Sequence, residues 1–227
     1  MLRAVIFDFD GVIVDSEMLH LEAFNIALAP YGIQITKEQY YKEMLGLTDA
    51  DLFKAIIESA ANKEFVKAGI NELLAKKRDA FESLIKTKCR VIAGVREFLD
   101  ILKANKIPAA ICSGAMLGEI ETILNVNNLR KYFEIIVSAE QVKRGKPFPD
   151  GFLLTLQKLN QKNRPEILPA HCVVIEDSQW GLTAAQDAGM KTIAVTNSYD
   201  AEELSSADKV IETLAKLSIE DLQKICK

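Results

Sequence analysis

The chain has 227 residues, about half of them apolar and a quarter charged, which suits a globular fold of one large domain or a core with a smaller second one. A formal charge of −4 disfavours nucleic acid as the main partner, because phosphate backbones are bound by faces rich in Lys and Arg. No apolar run approaches the roughly 18 residues that a membrane span needs, and the four cysteines, Cys89, Cys112, Cys172 and Cys226, form no CxxC pair of a zinc or disulfide framework. A cytoplasmic protein with reduced thiols is the expectation, and a monomer the default.

The first apolar run, Ala4-Val5-Ile6-Phe7, stops at Asp8, too short for a secretory signal. Four more runs follow: Pro108–Ile111, Ile135–Val137, Cys172–Ile175 and Thr192–Val195. Short unbroken apolar runs predict strands buried on both faces, as in a parallel sheet. Between them lie helical stripes at Val95, Phe98, Leu99 and Leu102, at Phe152, Leu156 and Leu159, and at Leu214 and Leu217. Alternating strand and helix predicts an α/β, Rossmann-like parallel-sheet core. Asn160 to Pro165 reads as a polar loop.

One stretch breaks the alternation. From about 16 to 85 there are helical stripes and no convincing strand: Leu21, Phe24 and Leu28, then Leu52, Phe53, Ile56 and Ile57, then Ile70, Leu73, Leu74, Phe81 and Leu84. Tyr31-Gly32 and Ala68-Gly69 punctuate them. This predicts an all-helical cap domain at 16–85, inserted into a discontinuous core of 1–15 and 86–227.

Ligands of open α/β sheets sit beyond the carboxyl ends of the strands, so the residues after each run carry the chemistry. Asp8-Phe9-Asp10-Gly11 follows the first run, Cys112-Ser113-Gly114 the second and Glu176-Asp177-Ser178 the fourth, while Lys143-Arg144-Gly145-Lys146-Pro147 precedes a helical stripe. Asp8 and Asp10, at i and i+2, point to one side and share a small volume. Such charges repel unless a cation lies between them or one carboxyl keeps a proton. Acids with no His or Cys ligand set favour a hard ion such as Mg²⁺. Ser113-Gly114 before a helix suits phosphate oxygens, although Ser-Gly is equally an ordinary turn and cap. Lys146 suits an anion, and alone would read as a surface lysine.

Taken in order, Asp8-Phe9-Asp10-Gly11-Val12, Ser113, Lys146-Pro147 and Glu176-Asp177-Ser178 resemble the four motifs of the haloacid dehalogenase superfamily of phosphotransferases. Val12-Ile13-Val14-Asp15-Ser16-Glu17 is similar to the branch of β-phosphoglucomutases and small sugar-phosphate phosphatases, whose helical cap matches the insert. The resemblance implies Asp8 as nucleophile and Mg²⁺ ligand. It implies Asp10 as general acid and base, with its backbone carbonyl on the metal, and Asp177 with Glu176 as further ligands. Ser113 and Lys146 are then the phosphate contacts, joined by Gly114 from the residue reading above, and the partner is a small phosphorylated metabolite, not nucleic acid or a membrane.

Halide chemistry is disfavoured because the superfamily's dehalogenases lack the second aspartate, here Asp10. Water and a sugar hydroxyl remain rival acceptors. The mutase pattern ends a cap segment on an arginine that grips the second phosphate, whereas the comparable Gly46-Leu47-Thr48-Asp49 ends on an anion. Hydrolysis is therefore favoured, with Gly46, Thr48, His20 and Lys77 as candidate substrate contacts. His20 stands where the mutases keep a histidine, and is otherwise a polar residue at the start of a helix. The run Lys76-Lys77-Arg78 offers a phosphate contact or merely an exposed helix face. A phospho-accepting receiver module combines similar residues, but its acidic pair lies on the first strand and its phosphorylated aspartate on a later one, without a cap.

Overall fold

Every side chain of Ala4-Val5-Ile6-Phe7 is buried, and the run forms strand β1 at the centre of a sheet. The computed structural model describes residues 1–44, 47–59 and 69–226. Among these, a six-stranded sheet has the order β5-β4-β1-β6-β7-β8, comprising Phe133–Val137, Ala109–Cys112, Ala4–Phe7, Cys172–Glu176, Lys191–Val195 and Lys209–Ile211. All neighbouring strands are parallel. Val5 pairs with Ala109 on one side and Val173 on the other, and Phe7 with Ile111 and Ile175, so the chain leaves β1, β4 and β6 at one edge.

The period of two along each strand separates two apolar layers. Ala4 and Ile6 face a cluster with Ala110, Val137 and Val174 that Phe152, Leu156 and Leu159 of the helix Asp150–Lys162 cover. Phe7 meets Phe98 of the helix Val95–Ala104 and Phe133 of β5, ring centroids 6.0 and 5.9 Å apart and edge-on. This coverage of both faces explains why the strands read as unbroken apolar runs. The α/β, Rossmann-like expectation holds.

Three details differ from the sequence reading. Leu214 and Leu217 do not share a helix: Leu214 lies in a 3-10 turn, Leu214–Lys216, and the last helix is Ile219–Ile225. Ser218 begins that helix instead, its hydroxyl accepting from the Asp221 amide. Residues 160–162 finish the preceding helix, whose exit is folded back where the Asn160 side chain bonds both the amide and the carbonyl of Ile167. The edge strand β8 and the two-residue antiparallel pair β2 and β3, Val14–Asp15 with Arg90–Val91, carry no apolar run.

The chain divides into two compact units, 1–15 with 90–227, and 16–89. The second is helical: Glu17–Leu28, Asp49–Ser59 and Ile70–Lys88, with a short turn Lys37–Gln39 continuing as a π-helical segment to Met44. The helix Ile70–Lys88 runs past the border at 85 anticipated above. Leu21, Phe24, Leu28, Leu52, Phe53 and Leu73 form its core, which accounts for each helical stripe. Gly32, at φ 68°, ends the turn after the first helix as the sequence punctuation suggests. Among the described residues no helix is long and apolar enough to cross a membrane.

Gly94 shows how tightly the first unit is closed. Its φ is +87°, and a Cβ there would stand 2.3 Å from the Ala215 amide nitrogen. Gly94→Ala combines a left-handed strain with a clash against backbone, together roughly 1–3 kcal/mol. We expect this variant to melt several degrees below the parent in a thermal unfolding scan followed by circular dichroism.

Candidate active site

β1 and β6 run side by side and end together, so their next residues meet. The Asp8 amide donates to the Ile175 carbonyl at 2.9 Å, which fixes the nucleophile candidate against the neighbouring strand end. Asp8, Glu176 and Asp177 are all buried, and each offers an oxygen within 4.8 Å of the others. Lys146 reaches into the group from the loop before Asp150–Lys162, its ammonium donating to Asp8 Oδ1 at 2.6 Å and to Glu176 Oε1. Its charge also lies 5.5 Å from the Phe152 ring centroid.

Glu176 is held from the other side. Its Oε2 accepts from the amides of Asp177 and Ser178 and from the Ser178 hydroxyl, at 3.0, 3.1 and 2.9 Å. The same hydroxyl caps the helix Gln179–Asp187 by accepting from the Gly181 amide. A Cβ at Gly181 would lie 1.8 Å from Glu176 Oε1, so the helix packs against the carboxylate only because residue 181 has no side chain. Gly11 plays the same part beside Asp177: at φ +75°, its added Cβ would stand 1.8 Å from Asp177 Oδ2.

Three carboxylates and one ammonium leave a net negative charge out of water. Burial, followed by repulsion from Glu176 and Asp10, pushes the Asp8 carboxyl up to about 7 despite the opposing Lys146. Burial, then Glu176 and Asp8, raises Asp177 well above an ordinary aspartate. Burial works against the charge on Lys146, but Asp8 and Glu176 outweigh it and hold the ammonium protonated. An all-oxygen, buried and under-compensated donor set fits a hard divalent cation, as the clustered acids of the sequence suggest. The Asp10 side chain is not in that group, and its charge acts on Asp8 from the turn beyond β1.

Ser113 follows β4 at the same edge and is buried, its hydroxyl accepting from the Ala115 amide at 2.9 Å. Gly114 is exposed, and a side chain there would meet nothing within 4 Å; the helix begins only at Leu117. Neighbours therefore do not demand a glycine at 114. Cys112, buried beneath the site, has its thiol pushed up to about 12 by burial, which leaves it a packing group.

The helical unit gathers a second set of residues. Lys77 is buried, so the exposed-face reading of Lys76-Lys77-Arg78 fails at its middle member. The Lys77 ammonium donates to Asp49 Oδ2 at 2.8 Å and stands 2.9 Å from His20 Nδ1. The rings of Phe24 and Phe81 flank it at 5.0 and 4.9 Å, and His20 stacks on Phe81. Burial and then the Lys77 charge hold His20 well below its usual pKa, so the ring is neutral and Nδ1 accepts from the ammonium. Thr48 is exposed and bonds Asp51, its hydroxyl donating to the carboxylate at 2.7 Å and accepting from the amide at 3.2 Å. Gly46 lies outside the described residues.

Sequence reasoning missed Asn197 and Ser198, which follow β7 at the same sheet edge. The Ser198 hydroxyl donates to Asp177 Oδ2, and the Asn197 side-chain amide donates to the Gly11 carbonyl at 2.7 Å. Their signal was the rule applied to the other strands, that the residues just beyond an apolar run deserve inspection.

The haloacid dehalogenase-like hydrolase family matches residues 5–195. The chain is 33% identical over 192 residues to the phosphorylated carbohydrates phosphatase of Thermotoga maritima, covering 85% of this chain and 84% of that one. It is 30% identical over 193 residues to the fructose-1-phosphate phosphatase of Escherichia coli K12, covering 84% and 95%. The crystal structure of CbbY from Rhodobacter sphaeroides in complex with phosphate superimposes with a TM-score of 0.85 at 24% identity, covering 98% and 100%. With its parallel core, helical insertion and acidic cluster at the strand ends, the chain belongs to the haloacid dehalogenase-like hydrolases.

Proposed function

We propose that the protein is a Mg²⁺-dependent phosphatase that hydrolyses a small phosphate monoester, a sugar phosphate or similar metabolite, with Asp8 as the nucleophile. The observation that carries this reading is the Lys146 ammonium, shared by Asp8 and Glu176 beside buried Asp177. Phosphoryl transfer asks a protein mainly for positioning and for positive charge around the equatorial oxygens. Asp8, Asp177 and Glu176, with the Asp10 carbonyl, are the residues that would hold Mg²⁺, which when bound supplies most of that charge.

The chain's own groups divide the work. A carboxylate oxygen of Asp8 attacks phosphorus as the ester P–O bond breaks, and Asp10 gives its proton to the departing oxygen. Water then attacks the aspartyl phosphate at phosphorus, its proton passing to Asp10, and phosphate leaves with the Asp8 carboxylate restored. Lys146 and Ser113 hold phosphoryl oxygens, and the exposed backbone at Gly114 lets a ligand approach.

Hydrolysis is preferred to transfer between sugar hydroxyls because the helical unit has an anion, Asp49, where the mutase pattern places a phosphate-gripping arginine. Asp49 is engaged by Lys77, so the Lys77 charge is already neutralised within its own unit. The named phosphatases at 30% identity or more support the same choice. The free thiols of Cys89, Cys112, Cys172 and Cys226 support a reducing, cytoplasmic setting.

Phosphate release from a panel of sugar and glycolytic phosphates is expected in MgCl₂, to vanish with EDTA and to return with added Mg²⁺. β-Glucose 1-phosphate with a bisphosphate activator tests the alternative, since efficient isomerisation without phosphate release would establish a mutase. Asp8→Asn is expected to fold normally and to lose roughly 10³-fold or more in kcat. Asp10→Asn should lose about 10²–10⁴-fold, the usual share of a general acid–base. A wild-type rate in either variant on the best substrate would remove the corresponding role.

A further inference from the structure

We propose that Ser198 is a positioning residue for the cation site, holding one oxygen of Asp177 so that the other is presented to the metal. This inference rests on the Mg²⁺ reading above and adds to it a residue outside all four motifs. Three chain segments converge at this point. Gly11 comes from the turn after β1, Asp177 from the end of β6, and Ser198 from the loop after β7. A Cβ on Gly11 would lie 1.8 Å from Asp177 Oδ2 and 2.8 Å from Ser198 Oγ, so the three groups fill one small volume.

The Ser198 loop is itself anchored. The Thr196 amide donates to the Ile211 carbonyl of β8 at 3.0 Å, and the Asn197 amide to the Val195 carbonyl at 2.9 Å. The Asn197 side chain donates to the Gly11 carbonyl at 2.7 Å, which ties the loop to the turn that carries Asp10. From that support the Ser198 hydroxyl donates to Asp177 Oδ2. A carboxylate with one oxygen occupied by a fixed donor loses rotational freedom about its last torsion. Its other oxygen is then offered in one direction, as outer-shell partners do for metal ligands elsewhere. Asp177 receives no other side-chain hydrogen bond among the described residues, so the hydroxyl at 198 is what sets its orientation.

The test is MgCl₂ titration of metal-free protein by calorimetry, with unfolding temperature of the metal-free forms as the folding control. Ser198→Ala is expected to bind Mg²⁺ roughly 10-fold or more weakly. Ser198→Thr, which keeps the hydroxyl, is expected to stay within a few-fold of wild type. Equal affinities for wild type and Ser198→Ala would overturn the proposal, as would a Ser198→Thr variant as weak as the alanine form. Wild-type protein that takes up no Mg²⁺ would overturn the cation reading itself, a result distinct from a wild type that binds normally beside an unaffected Ser198→Ala.

Discussion

The protein keeps three carboxylates out of water at the ends of two adjacent strands, with the Lys146 ammonium among them. Most other features of the core follow from tolerating that charge. The helix after Glu176 begins with a serine hydroxyl and backbone amides aimed at the carboxylate, replacing part of its lost hydration. Gly11 and Gly181 stand where any side chain would strike a carboxylate oxygen. The parallel sheet contributes by ending β1 and β6 at one level through an unbroken register from Ala4–Cys172 to Phe7–Ile175. Slipping that register by one residue would turn Asp8 away from its neighbours.

The core was legible because its signals are local. A strand buried on both faces must be apolar throughout, and polar residues that must reach a ligand follow it immediately. Hence Asp8, Ser113, Glu176 and Asp177 could be picked out from position alone, and the family resemblance joined Lys146 to them. Edge strands are different. Lys209–Ile211 is only partly buried on its three residues, so it offers no apolar run. Leu214 and Leu217 mimic a helical spacing across a single 3-10 turn that Leu217 follows, since a gap of three suits either helix.

Charged residues of the helical unit were harder to read, because their state depends on partners far along the chain. Lys77 sits among Lys76 and Arg78 and shares their composition, yet those two are exposed or half-exposed, with Lys76 bonded to Glu72. The packing of Phe24 and Phe81, with Asp49 and His20 at its ammonium, separates Lys77 from them. The single feature that favoured hydrolysis at the level of sequence, an aspartate at 49, gains a physical content from that packing: it is the counter-charge of an interior cation.

The pairing of buried Lys77 with half-exposed Asp49 shapes how the helical unit responds to its medium. Dissolved ions weaken attractions they can surround, and Lys88 with Glu22, both about half exposed, is open to them. The Lys77 side chain is 2% exposed and walled by aromatic rings, while Asp49 is 42% exposed, so dissolved ions reach this pair from the carboxylate side. Brine therefore weakens this pair less than Lys88 with Glu22, because packing shields one of its two charges where the other pair has both in solution.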